Sequence, residues 1–276
     1  MLLGYNTNGF AFHSLQSALE IIAETGYQSV ALTLDVHHLN PFSAHLEQEI
    51  EQVRKSLSDL NLQCVIETGA RFLLDSHHKH QPTFLSSSAM QRQKRIDFYC
   101  RCIDIANELN AKTISLWSGT ALEKTPSNEL LVRLCDGLEK VCRYAEATQT
   151  KIAFEPEPGM FIDTMASWQM LLQPFDHPLL GLTIDVGHLQ CLESEPISTI
   201  LQQWENRIWN IHIEDMRTGV HDHLRFGEGE IDFHSVMQTL KQINYSQGVH
   251  VELSRHAHMA PEVAKESIHF LQACLE

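Results

Sequence analysis

Three acidic residues and one histidine in the second half of the chain each lie at the end of a short apolar run. They are Glu155 in KIAFEPEPG, Asp185 in LGLTIDVGH, His212 in IWNIHIEDM and Glu252 in GVHVELSRH. Side chains alternate between the two faces of a β-strand, and in each run the candidate residue is on the face opposite the aliphatic side chains. Burying three carboxylates together without a cation would be costly. The sequence therefore predicts that these residues converge on a divalent cation, for which they form an oxygen and nitrogen ligand set.

The elements that must position these residues form a repeating pattern of a short strand followed by an amphipathic helix. The predicted strands lie near residues 2–7, 29–35, 63–68, 112–118, 151–157, 180–185, 208–215 and 248–254. About eight such units in about 250 residues predict an α/β fold, a single (β/α)8 TIM barrel over residues 1–276. A doubly wound open sheet is the alternative, but YNTNGF stands where its glycine-rich phosphate turn would follow the first strand.

In a (β/α)8 barrel the loops that follow the strands form one functional mouth. All four candidate ligands lie at the carboxyl ends of predicted strands, so the fold and the metal site support each other. The segment around residues 69–90 is the longest stretch without periodicity. We interpret it as a lid-like loop over the mouth.

Further candidates surround the predicted ligands. His188, His221 and His223 offer enough imidazoles for a second metal site, and the alternative is that they are solvated or contact substrate. The candidates for substrate binding are His188, Arg217, Glu157, Asn6 and Trp117. Three of them have a structural alternative: Arg217 could pair with Glu214 or Asp215, Glu157 could support a ligand from behind, and Trp117 could pack inside the barrel.

Composition limits the class of protein. A formal net charge of −15 and a pI near 5.5 disfavour nucleic acid as a partner, because a phosphate-backbone binder needs a basic face. No apolar run is long enough for a membrane span, and the amino terminus does not look like a secretion signal. Seven cysteines without metal-type spacing indicate reduced thiols. We expect a cytoplasmic protein, and a homo-oligomer remains open.

Several motifs between residues 151 and 254 occur together in a characteristic order: FEPEP, TIDVGH, IHIED, FGEGEID and HVELSRH. In this, the chain resembles the xylose isomerase-like TIM-barrel family, which includes sugar and sugar-phosphate isomerases and epimerases and the apurinic-site endonucleases. The resemblance implies that Glu155, Asp185, His212 and Glu252 are the metal ligands of an epimerase-type site. It also implies that His188 contacts substrate or metal, and it places Arg217 near a position that can contact substrate.

The resemblance implies a metal-dependent isomerase or epimerase of a sugar or related keto-polyol. Glu155 and Glu252 would transfer a proton at the carbon next to a carbonyl, and a divalent ion (Mn²⁺, Mg²⁺, Co²⁺ or Zn²⁺) would stabilise the enediolate. The first alternative is a metal-dependent hydrolase or lyase, including endonuclease-like phosphodiester cleavage. The endonuclease branch carries three zinc ions, but Thr68 and Trp117 replace two of its histidine ligands here. The second alternative is a non-catalytic ligand-binding barrel.

Overall fold

The computed structural model describes all 276 residues and contains a closed barrel of eight parallel strands. The barrel strands are β1 (Leu2–Asn6), β2 (Ser29–Thr33), β3 (Gln63–Glu67), β4 (Thr113–Leu116), β5 (Lys151–Phe154), β6 (Leu180–Asp185), β7 (Ile208–Ile213) and β10 (Gly248–Val251). Neighbouring strands follow chain order, and β10 closes the barrel by pairing with β1. The predicted (β/α)8 barrel is confirmed, and the open-sheet alternative was wrong.

Helices surround the barrel. They are α1 (Leu15–Thr25), α2 (Leu46–Asp59), α3 (Ala89–Glu108), α4 (Ser127–Ala145), α5 (Met165–Leu172), α6 (Val186–Leu192), α7 (Ile197–Gln203), α8 (Phe233–Gln242) and α9 (Ala260–Ala273). Helix α6 was not predicted, and neither was the antiparallel hairpin formed by β8 (Asp215–Arg217) and β9 (Val220–Leu224). None of the helices combines the length and the apolarity that crossing a bilayer would require.

Strand side chains separate into two layers, as the alternating pattern requires. On β5 and β6, Phe154, Leu182 and Ile184 are buried in the hydrophobic core, and the Phe154 ring stacks on Trp168 of α5 at 5.4 Å between centroids. Thr183 and Asp185 alternate with these residues and are also buried, because they face the interior of the barrel. The aliphatic layer therefore anchors the helices, while the second layer carries polar side chains inward.

Two glycines make room for an imidazole inside the barrel. His250 of β10 is fully buried, and a Cβ added at Gly4 of β1 or at Gly248 of β10 would overlap its ring. A Cβ at Gly4 would also lie 2.9 Å from the carbonyl oxygen of Ser29. Glycine is thus required at these strand positions by close packing against His250 rather than by backbone conformation.

The packing of His250 predicts a stability difference between two glycine variants. Gly4→Ala should lower the free energy of unfolding by about 1–3 kcal/mol, because the methyl group overpacks the barrel interior. Gly69→Ala is the matched control, since no atom lies within 4 Å of a Cβ added there. Urea unfolding would measure both, and equal stability of the two variants would contradict the packing described for His250.

The segment predicted as a lid contains no helix or strand from residue 68 to residue 88, and α3 begins at Ala89. Its second half is anchored, with residues 81–86 buried. Arg71, Lys79 and His80 line a cavity of about 160 Å³ at the mouth of the barrel. The segment thus forms one wall of the cavity, and its action as a lid stays a prediction.

Candidate metal centre and its surroundings

The structure brings Glu155, Asp185, His212 and Glu252 together at the carboxyl ends of β5, β6, β7 and β10. One donor atom from each lies within 4.8 Å of the others. Glu155 Oε1 and Glu252 Oε2 lie 3.0 and 2.9 Å from the same atom, Nδ1 of His212. Four strands of a rigid barrel therefore aim these donor atoms at one region.

Both glutamates follow the last residue of their strand, one position beyond β5 and β10. The predicted strands 151–157 and 248–254 were too long, because Pro156 has no N–H to continue the ladder and a short 3-10 helix begins at Ser254. The backbone N–H of Glu155 still donates to Leu116 of β4 at 2.8 Å, and that of Glu252 donates to Ile213 of β7 at 3.3 Å. The sheet therefore fixes both glutamates although neither belongs to a strand.

Glu67, at the end of β3, is a site residue that sequence reasoning missed. Its Oε1 lies 2.9 Å from Nε2 of His212 and accepts a hydrogen bond from Nδ2 of Asn210 at 3.1 Å. His212 therefore donates its Nε2–H to Glu67, and its Nδ1 faces Glu155 and Glu252, where a cation would displace the Nδ1 proton. A carboxylate behind an imidazole fixes the ring and its tautomer in this way at many metal sites. The available signal was a fourth carboxylate at a strand end, in QCVIETG.

A chain of hydrogen bonds continues from Glu67 down the barrel interior. The amide of Asn210 that donates to Glu67 accepts through Oδ1 from Nδ1 of His250, at 2.9 Å. Nε2 of His250 in turn lies 2.8 Å from the hydroxyl of Ser29. Burial lowers the pKa of His250 to about 3, so its ring is neutral and each of its nitrogens has one partner. The chain holds Glu67, and through it His212, in one orientation.

Electrostatics at the four converging residues are dominated by burial and by mutual contact. Burial raises the pKa of Glu155 to about 7, and Glu252 and Asp185 act in the same direction. Burial also disfavours the charged form of Glu252, but His212 outweighs it and holds the pKa of Glu252 well below its ordinary value. Burial opposes protonation of His212, yet Glu67, Glu252 and Glu155 raise its pKa well above the usual range. The site thus concentrates carboxylates whose ion-pair partners are histidines.

The three histidines predicted as a second cluster also converge. Ring nitrogens of His188, His221 and His223 lie within 4.8 Å of one another, and the ring centroids of His188 and His221 are 4.9 Å apart. His221 and His223 are two residues apart on strand β9, so their side chains lie on the same side of it. The sequence indicated Glu214 only as an alternative partner of Arg217. In the structure Glu214 is fully buried, and its Oε1 lies 3.5 Å from Nδ1 of His223. Neither of its carboxylate oxygens has a hydrogen-bond partner.

Helix α6 positions His188, which lies in the first turn of the helix. Asp185 caps this helix, and its Oδ1 accepts the backbone N–H of His188 at 2.9 Å. A Cβ at Gly187 would overlap the carboxylate of Glu214, so glycine is needed there for close approach. The DVGH motif therefore places His188 one helical turn above Asp185, with its Nε2 3.4 Å from Asp185 Oδ2.

The FGEGEID motif forms a loop around Asp215, the first residue of β8. The Asp215 carboxylate accepts backbone N–H groups from Gly227 at 2.8 Å, Gly229 at 2.9 Å and Ile231 at 3.3 Å. Gly227 has a φ of +87°, which favours glycine, and a Cβ at Gly229 would overlap Asp215. The motif thus fixes the loop beside the hairpin that carries His221 and His223.

The predicted substrate-binding residues separate into two groups. Asn6, Trp117 and Glu157 line the cavity at the barrel mouth together with Glu155 and Glu252. His188 lies beside that cavity, with its Nδ1 3.3 Å from the carbonyl oxygen of Pro156.

Arg217 is not brought to the cavity. It is exposed at the end of β8, where the register of the hairpin shifts, and its Nη2 donates to the carbonyl oxygen of Glu228 at 2.7 Å. The alternative pairing of Arg217 with Glu214 or Asp215 is also absent.

A model of the xylose isomerase-like TIM barrel family matches residues 19–274 of the chain. The chain belongs to this family. Among its relatives is the L-ribulose-5-phosphate 3-epimerase UlaE of Escherichia coli O1:K1, which is 26% identical over 205 residues, 73% of this chain and 72% of the relative.

Solved structures of other proteins have the same barrel fold as this member of the xylose isomerase-like family. The 3-keto-D-glucoside 4-epimerase YcjR of E. coli is 17% identical and has a TM-score of 0.81 over 99% of this chain and all of its own. The IolI protein with a bound zinc atom is 19% identical, with a TM-score of 0.77 over 98% of each chain. At these identities the likeness establishes the fold alone.

The converging residues fit a divalent cation on chemical grounds. Ligands about 2.0–2.2 Å from one ion lie at most about 4.4 Å from each other, close to the 4.8 Å within which all four donors fall. Asp185 Oδ2 is buried without a hydrogen-bond partner. Buried carboxylates that lack lysine or arginine partners gain most from a cation, because it compensates their desolvation.

Proposed function

We propose that the protein is a divalent-metal-dependent epimerase or isomerase of a sugar or a related keto-polyol. The observation that carries the proposal is the placement of the Glu155 and Glu252 carboxylates, 3.0 and 2.9 Å from His212 Nδ1 in a polar cavity at the barrel mouth. Membership of the xylose isomerase-like family and the epimerases among its relatives support it. The partner is then a small sugar-like molecule.

Glu155, Asp185, His212 and Glu252 would hold the cation. When bound, a divalent ion (Mn²⁺, Mg²⁺, Co²⁺ or Zn²⁺) supplies Lewis-acid stabilisation of negative charge on a substrate oxygen. His212 presents Nδ1 for this purpose because Glu67 accepts its Nε2–H. The protein contributes rigidity, since each proposed ligand lies at or next to the carboxyl end of a barrel strand.

Glu155 and Glu252 are the proposed proton-transfer groups at the carbon next to the substrate carbonyl. Asn8 Nδ2 donates to Glu252 Oε1 at 2.7 Å, which orients the carboxylate so that Oε2 faces His212. A positioned general base contributes about 10²- to 10⁴-fold to rate. The configuration of the substrate decides which glutamate removes the proton and which returns it. Glu157 and Asn6 offer polar contacts to substrate hydroxyls from the cavity wall.

The cluster of His188, His221 and His223 supports a second candidate function, a metal-dependent hydrolase or lyase with two cations. Asp185 and Glu214 join His223 in a further ligand group, so one carboxylate could serve both centres. In the epimerase the same imidazoles contact substrate hydroxyls. Metal analysis distinguishes the two, since one tightly bound ion per chain supports the epimerase and two support the hydrolase.

The proposed reaction is tested by hydrogen exchange. The metal-loaded protein would be incubated in D₂O with a panel of ketopentoses, ketohexoses and their phosphates, and substrates would be followed by proton NMR. We expect one or more to lose the signal of the hydrogen next to the carbonyl and to yield an epimer or isomer. If no sugar in the panel exchanges hydrogen and the protein hydrolyses a phosphodiester, the result would contradict the epimerase and favour the metal-dependent hydrolase.

Glu67→Gln is expected to weaken metal binding while the fold remains. Glutamine can still accept from His212, but it removes the negative charge that favours this tautomer, so we expect the Kd to rise about 10- to 100-fold. Competition with a chromogenic chelator would measure the Kd, with Glu47→Gln on the exposed face of α2 as the control. An unchanged Kd in Glu67→Gln would show that His212 does not depend on Glu67.

A further inference from the structure

Two cationic side chains at the cavity have no acidic partner. Arg71 and Lys79 line the same cavity as Glu155 and Glu252. The ion pair within their segment joins His78 to Asp75, and no carboxylate oxygen lies within 4.0 Å of the Arg71 or Lys79 nitrogens. Arg71 is half-buried and Lys79 is exposed at the cavity, so both charges are free to meet an anion that enters it.

A third cation lies behind this wall. Arg95 of α3 is fully buried and donates to the carbonyl oxygens of His80 and Pro82, each at 2.6 Å. Its guanidinium stacks over Trp117 at 5.1 Å, and its Nη1 has no hydrogen-bond partner. Because no carboxylate pairs with Arg95, its charge adds a positive potential behind His80 and Trp117, both of which line the cavity.

The pKa of His80 responds to this positive potential. Its ring lies against Trp117 with centroids 5.1 Å apart. Burial, and then the charges of Lys79, Arg95 and Arg71, lower the pKa of His80 to about 4. The ring is therefore neutral near pH 7 and can donate one N–H. The cavity thus has an acidic floor, formed by the candidate metal ligands, and a cationic wall formed by residues 71–80.

We propose that Arg71 and Lys79, with an N–H of His80, bind a terminal oxyanion of the substrate, either a phosphate ester or a carboxylate. The substrate class is then an open-chain ketose with an anionic end, whose carbonyl end reaches Glu155 and Glu252. The ketose part of this assignment rests on the proposed epimerase function, whereas the binding of an oxyanion by Arg71 and Lys79 does not. A guanidinium suits the role because it offers two parallel N–H donors to an oxyanion.

The kinetic test compares a ketopentose, its 5-phosphate and the corresponding ketouronate. Arg71→Gln should lower kcat/KM for the preferred anionic substrate about 10- to 100-fold, in line with a charge-assisted hydrogen bond. The neutral sugar should change less than about threefold, since it lacks the charged end. Arg143→Gln, which removes an exposed arginine paired with Glu139, is the charge-matched control. The substrate whose kcat/KM falls more in Arg71→Gln, the 5-phosphate or the ketouronate, identifies the anionic group that the site binds.

A binding test separates this proposal from the proposed function. Inorganic phosphate would be titrated into the holoprotein, with the His80 ring signals followed by NMR. We expect a saturable shift that is lost in Arg71→Gln and retained in Arg143→Gln. If no sugar turns over but this pattern holds, the oxyanion site stands and the epimerase proposal fails. If His80 does not respond in the wild type, or Arg71→Gln affects neutral and anionic sugars equally, the oxyanion site is refuted.

Discussion

Glu252→Gln is expected to reduce turnover by at least about 10³-fold, because it removes both a proposed proton-transfer group and a proposed anionic metal ligand. The fold should persist, since the side-chain oxygen of the introduced glutamine can still accept from Asn8 and the main-chain bond to Ile213 is unaffected. Steady-state kinetics on the substrate found by hydrogen exchange would measure the loss. Circular dichroism and thermal unfolding would verify the fold.

Glu262→Gln, on the exposed first turn of α9, is the control for the Glu252 variant, and we expect wild-type rates from it. Glu155→Gln should resemble Glu252→Gln in overall turnover. If each glutamate serves one face of the carbon, the two variants should differ in which of the two epimers still exchanges its hydrogen with solvent. Wild-type activity in Glu252→Gln would remove this residue from the reaction.

Removal of the metal is expected to abolish activity and to lower stability together. A ligand at 100 times its Kd stabilises the native state by about 2.7 kcal/mol, which corresponds to about 5 °C in Tm for a chain of this size. Dialysis against a chelator should therefore lower Tm by a few degrees, and adding Mn²⁺ back should restore both Tm and turnover. Differential scanning calorimetry and kinetics on the same samples would make the comparison.

Asp185→Asn provides the matched variant for metal removal. Asparagine caps a helix as well as aspartate, so α6 and the position of His188 should be retained. The variant would lose one of the proposed anionic ligands and so hold little metal, and we therefore expect its Tm to respond little to chelator. If chelation lowers the Tm of wild type and Asp185→Asn equally, the stabilising ion binds elsewhere.

The periodicity of the sequence was sufficient to predict the barrel and the side of each strand on which the candidate ligands lie. Strand parity is a local property, and the carboxyl ends of parallel strands necessarily meet at one mouth. Glu155 and Glu252 could therefore be grouped without knowledge of distances. Strand length was less predictable, since it depends on details such as the missing N–H of Pro156.

Residues outside the regular strands were harder to place. After Ile213 the chain enters a hairpin with a register shift, so Arg217 is exposed even though it lies only five positions after His212. Glu67 escaped notice because one glutamate at a strand end usually has a structural role, and only the contact with His212 distinguishes it. Arg71 could be placed near the pocket from the sequence because it lies in the predicted lid, whereas Lys79 is recognised only from its position at the cavity.

An anomalous difference map of crystals of the purified protein, recorded at the absorption edge of the metal it contains, would locate the ion. We predict a peak bound by Glu155, Asp185, Nδ1 of His212 and Glu252, with Glu67 on the opposite side of the imidazole. A metal-replete crystal without a peak at these residues, or with the ion held by other side chains, would contradict the metal centre on which the proposed function depends.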